Sequence, residues 1–152
     1  MLSTTSLITR LKSDFPAITF SSGEEFHWSS QKNTIYYPKN TSDSEALLHE
    51  LAHAILKHTT YSKDIQLIEI ERDAWEYAKQ TLAKRYEIAI NETSIQEALD
   101  TYRDWLHARS TCPNCQATGI QKKTNQYTCL ACHTKWRVNE ARICALRRYR
   151  IT

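Results

Sequence analysis

His49 and His53 stand four residues apart with Glu50 directly after the first, an HExxH box inside an apolar run. On a helix, at ~100° per residue, such positions lie about 40° from one another, so both imidazoles project from one face and can share a metal ion. Glu50 lies beside them, where a water-activating base belongs. The chemistry this predicts is zinc-dependent hydrolysis. The alternative is a pair of hydrogen-bonded core histidines, costly to bury unless something satisfies them. A catalytic zinc site keeps three protein ligands and leaves the fourth position to water, so one more donor is needed.

His58 follows His53 by five positions, about 140° round the same helix, and is expected to point away and meet the last helical carbonyls. The longer box H-E-x-x-H-x-x-G-x-x-H is excluded, because Leu56 and Thr59 occupy its glycine and third histidine. The next helical stretch, roughly 64–86, offers Glu69, Glu71, Asp73 and Glu76. Its apolar stripe of Leu67, Ile68, Ala74, Trp75, Ala78 and Leu82 falls within about 60° of Glu71, whereas the other three carboxylates lie about 140° to 160° away. Glu71 therefore faces the core and must meet a cation. That cation is either a metal shared with His49 and His53 or an Arg or Lys side chain.

A second donor set has a different character. Cys112-Pro113-Asn114-Cys115 and Cys129-Leu130-Ala131-Cys132 are two Cys-x-x-Cys knuckles separated by 13 residues, the spacing of a zinc ribbon. Four thiolates close a tetrahedral structural site with no place for water. Disulfides are the alternative, disfavoured in the intracellular chain expected below. His133 is read as structural or exposed, and the odd cysteine, Cys144, as packing on a final helix of about 140–149.

These residues need elements to hold them. Ser42 and Glu45 form an S-x-x-E pattern ahead of the HExxH helix, which is apolar nearly all round and hence central. Upstream, residues 5–13 form an amphipathic helix carrying Leu7, Ile8 and Leu11. Short β-prone runs follow at 17–21, 26–29 and 34–37, with a turn at 30–33 and the third strand as the expected edge. Tyr36, Tyr37 and His27 are left without a role in the chemistry. A further helix spans roughly 94–109, and the ribbon strands are expected at 120–123, 127–129 and 135–138.

The stretch HELAHAILKH, with Glu71-Arg72-Asp73-Ala74-Trp75-Glu76-Tyr77-Ala78, resembles the active helix and the E-x-[DE]-A-x-x-[FY]-A helix of the ImmA/IrrE-like gluzincin metallopeptidases. Trp75 stands where that family usually has a small polar residue. The resemblance covers about the first 90 residues and implies an α+β fold: N-terminal helix, small sheet, HExxH helix and glutamate helix, followed here by a small four-cysteine zinc ribbon. It also implies His49, His53 and Glu71 as zinc ligands, Glu50 as catalytic base, and a DNA-associated regulator as substrate. A SprT-like protease also joins an HExxH domain to a ribbon, but takes a histidine as third ligand; only His107 and His133 follow His58 here. The remaining alternative is a non-catalytic module that binds nucleic acid or protein through the ribbon.

The expected division is a metallopeptidase domain at 1–110, a zinc ribbon at 111–138 and a basic C-terminal helix at 139–152. From Arg103 onward there are ten basic residues against two acidic ones, Asp104 and Glu140, within a net charge of +3. This asymmetry points the ribbon and tail towards a polyanion, nucleic acid or an acidic protein surface. Trp136 between Lys135 and Arg137 is a candidate base-stacking residue, though a small-core role is favoured. No run of about 18 apolar residues occurs, and residues 1–12 lack a signal-peptide core. A cytoplasmic chain without a membrane partner is expected.

Overall fold

The computed structural model describes residues 3–141 and 145–152 and is of the α+β class, with helices and two small sheets. Two units separate. One holds the chain up to Thr59 with Ile70–Ile95, and the other holds Thr60–Glu69 with the chain from Gln96 onward.

In the first unit, α1 (Thr4–Asp14) begins where the Ser3 hydroxyl accepts the Ser6 N–H, and it buries Leu7, Ile8 and Leu11. The strands β1 (Thr19–Gly23), β2 (His27–Ser29) and β3 (Thr34–Pro38) form a sheet of order β1-β3-β2. The expectation of β3 as an edge is therefore corrected. β2 folds back antiparallel on one side of it while β1 pairs in parallel on the other, so β3 is central. Its Thr34 and Ile35 are buried accordingly.

The HExxH helix, α2 (Ser44–Leu56), is buried at Leu47, Leu48, Leu51, Ala52 and Ala54. Its cap is Asp43 rather than Ser42: the Asp43 carboxylate accepts the Ala46 N–H at 2.9 Å. A charged acceptor suits the positive end of a helix better than a hydroxyl. Glu45 instead accepts the Asn91 N–H. The helix ends at Lys57, whose left-handed backbone (φ 55°, ψ 44°) turns the chain sharply. Next, α3 (Asp64–Tyr77) runs through a π-helical turn, Ala78–Leu82, into α4 (Ala83–Tyr86), and their buried Ala74, Ala78, Leu82, Ala83 and Tyr86 join the same core.

The second unit contains the ribbon. Its antiparallel sheet has the order β4 (Ile120–Lys123), β5 (Gln126–Thr128), β6 (Lys135–Val138) and β7 (Arg148–Ile151). Helix α5 (Glu92–Ser110) continues into this unit from Gln96, and the start of α3 belongs there too. A buried ion pair explains why: Arg109 Nε donates to Asp64 Oδ2 at 2.9 Å, and the Tyr127 hydroxyl donates to the same oxygen. The remaining guanidinium donors reach Asn139 O and Asn125 Oδ1.

The expected C-terminal helix is also corrected, since Arg148–Ile151 pairs with β6 as a strand. Asn139 directs the return: its side-chain oxygen accepts the Arg147 N–H and its amide donates to Ala145 O. Cys144, assigned above to that helix, lies outside the described residues.

Candidate metal centres

The two turns of α2 that carry the HExxH box bring His49 and His53 to one face, and α3 brings Glu71 opposite them. All three are buried, at 8, 8 and 7 % exposure. Glu69, Asp73 and Glu76 are exposed, as the helical stripe requires. His49 Nε2 lies 3.0 Å from Glu71 Oε2 and 3.1 Å from His53 Nε2, and His53 Nε2 lies 3.5 Å from Glu71 Oε2. Three donors on a tetrahedral zinc with bonds of about 2.1 Å would stand about 3.4 Å apart. The observed triangle has that size, so these residues fit a metal ion.

Burial alone would raise the Glu71 carboxyl, but its hydrogen bonds to the His49 and His53 rings, with their charge, outweigh this and hold it down at about 2. The carboxylate is thus the ionised form a cation needs. Among the described residues the ion-pair partners of Glu71 are His49 and His53, not an Arg or Lys side chain.

The two histidine rings are fixed by different means. His49 stacks on Trp75, with centroids 4.1 Å apart at 17°, and its buried Nδ1 has no hydrogen-bond partner among the described residues. His53 Nδ1 meets His58 Nδ1 at 3.0 Å. The expectation that His58 points away is corrected here: α2 stops at Leu56, and the left-handed Lys57 swings the next residue back towards the box. Only the His58 backbone N–H engages the helix end, at His53 O. Burial and then the nearby His53 push the His58 imidazole below its ordinary pKa, favouring its neutral form.

Glu50 is half-buried, and its Oε2 accepts the backbone N–H of Trp28 from β2 at 2.9 Å. A side-chain pattern cannot reveal this anchor, because the donor is main chain. His27 and Tyr36 stack across β2 and β3.

In the second unit Cys112, Cys115, Cys129 and Cys132 converge. Sγ atoms approach to 3.6 Å for Cys112 and Cys132 and to 3.5 Å for Cys115 and Cys129. That is far beyond the ~2.05 Å of a disulfide and near the about 3.8 Å expected on tetrahedral zinc–thiolate bonds. The knuckles repeat one another. Cys112 N donates to Ala117 O and Cys129 N to Thr134 O, and the left-handed residues Gln116 and His133 occupy equivalent turns. His133 is exposed and outside the cluster.

The Thr134 hydroxyl and then the Asn114 amide lower Cys132 to about 5. Cys115 goes the other way: although the Ala117 N–H favours its thiolate, hydrogen bonds with Cys129 and Cys132 push it up to about 12. Four adjacent thiols cannot all ionise without a cation among them.

No family model, curated protein or solved structure matches this chain. No helix among the described residues is long and apolar enough to cross a membrane.

Proposed function

We propose that the protein is a zinc-dependent endopeptidase of the ImmA/IrrE-like gluzincin type, with a second, structural zinc in its ribbon. The observation carrying this reading is the triangle of His49 Nε2, His53 Nε2 and Glu71 Oε2, buried and sized for one tetrahedral ion. Those residues would hold the metal, which when bound lowers the pKa of its water and polarises a substrate carbonyl.

Glu50 is the general base. It takes the proton of the attacking water and returns it to the leaving amine. The Trp28 N–H fixes the carboxylate by donating to Oε2, which leaves Oε1 for the water. His58 steadies the His53 ring, and Trp75 does the same for His49. In this reading the ribbon and the basic C-terminal region direct the peptidase to a protein substrate, such as a DNA-associated regulator. The SprT-like alternative lacks support at its third ligand, since neither His107 nor His133 joins the cluster that holds Glu71.

Glu50→Gln keeps the shape and removes the base. The zinc-loaded variant should retain both metals yet cleave unfolded protein at least about 100-fold more slowly than the parent chain. Used as a bait it should also retain uncleaved substrate for identification. Full cleavage by the variant would contradict the mechanism.

A further inference from the structure

The ribbon sheet leaves one face exposed, and its register fixes which side chains stand there. Residues paired directly across neighbouring strands share a face. Tyr127 and Trp136 pair on the buried side. Gln126 with Arg137, Thr128 with Lys135, and the β7 partners Tyr149 and Ile151 therefore occupy the opposite side. β4 adds Ile120 across from Thr128 and, because its register shifts between Gln121 and Lys123, Lys123 across from Gln126.

The charged residues on this face are all basic, namely Lys123, Lys135 and Arg137, and each is exposed. Glu140 is drawn off by the Asn125 amide into the cavity beside Arg109. Tyr149 is 38 % exposed, and the Arg137 guanidinium lies 4.5 Å from its ring centroid. At the β6–β7 end, His133, Thr134, Lys135 and Arg150 line an open cavity of 420 Å³. Trp136, the aromatic that the sequence offered for stacking, is fully buried, with its indole N–H given to Arg109 O.

We infer that this face binds single-stranded nucleic acid, with Lys123, Lys135 and Arg137 meeting phosphates and Tyr149 stacking on a base. An exposed ring set among cations is the combination that tracks a polyanion with unpaired bases. A duplex offers no free base to the ring, and an acidic protein surface would use the charges but not the tyrosine. The inference does not depend on the peptidase reading, because every residue it uses belongs to the ribbon.

The test is fluorescence anisotropy of the zinc-loaded chain with a labelled oligothymidine of about a dozen nucleotides, repeated over a range of salt. Three phosphate contacts predict a log–log salt slope of about −2. Lys135→Ala with Arg137→Ala should weaken binding at least about ten-fold and remove roughly two thirds of that slope. Tyr149→Ala should weaken it about five-fold or more with the slope unchanged, while Tyr149→Phe binds like the parent. Lys123→Glu, at the far strand, gives an independent reading if the double variant loses its zinc. The inference is overturned if oligothymidine does not bind at low salt, if these substitutions leave binding unchanged, or if polyglutamate or a duplex competes as well as the single strand.

Discussion

His53 has both ring nitrogens committed, Nε2 towards His49 and Glu71 and Nδ1 towards His58. Outer partners of this kind set the tautomer and orientation of a ligand ring, and their loss typically costs 10–100-fold in metal affinity. His58→Ala should therefore weaken zinc at the histidine–glutamate site by about that factor in a chelator competition, with the thiolate site unaffected. Unchanged affinity at both sites would leave His58 without the positioning role assigned to it. At this scale the sequence was informative wherever the cause was local. Glu71 stood out because a carboxylate at the centre of an apolar helical stripe must find a cation, and the structure places it on both histidines. His58 was misread because its return depends on a left-handed Lys57, a conformation that no glycine announced.

Among the elements, the ribbon sheet depends on one close approach. A Cβ on Gly119 would lie 2.3 Å from Trp136 Cη2 and 3.0 Å from Thr128 O. Trp136 cannot easily move, since its indole N–H is held by Arg109 O and its ring stacks on Tyr127. Gly119→Ala should lower the unfolding free energy by about 1–3 kcal/mol, seen as a lower denaturation midpoint with an unchanged denaturant slope. A parent-like midpoint would show that the tryptophan has room to shift. The helices and the first three ribbon strands were legible from period and turn residues, as were the knuckles from their spacing. Strand order was not: β3 is central because β1 joins it from a distance, a pairing that no local pattern encodes. The return of residues 148–151 as a strand was hidden for a similar reason. Ala141, Ala145 and Leu146 suit a helix, whereas the Asn139 side chain bonds Ala145 O and the Arg147 N–H just ahead of the strand that pairs with β6.

At the scale of the whole molecule, the described residues carry two donor sets of opposite design. One is the buried set of His49, His53 and Glu71, which could hold a metal ion, and the other is a closed set of four thiols on a small sheet. Removing metal should separate them. The ribbon has a small core of Cys112, Tyr127, Cys129, Trp136 and Val138, so its folding should depend on the ion. The first unit has a larger hydrophobic core and should keep its helices. Chelation is thus expected to abolish near-ultraviolet signal from the ribbon aromatics while most helical ellipticity remains. Loss of all helical signal would contradict that independence. Counting zinc per chain shows whether His49, His53 and Glu71 form a zinc site distinct from the ribbon. The parent should carry two ions, with one lost in Glu71→Ala and one lost in Cys112→Ser. Two ions retained in a folded Glu71→Ala chain, or a parent chain that never holds more than one, would contradict it.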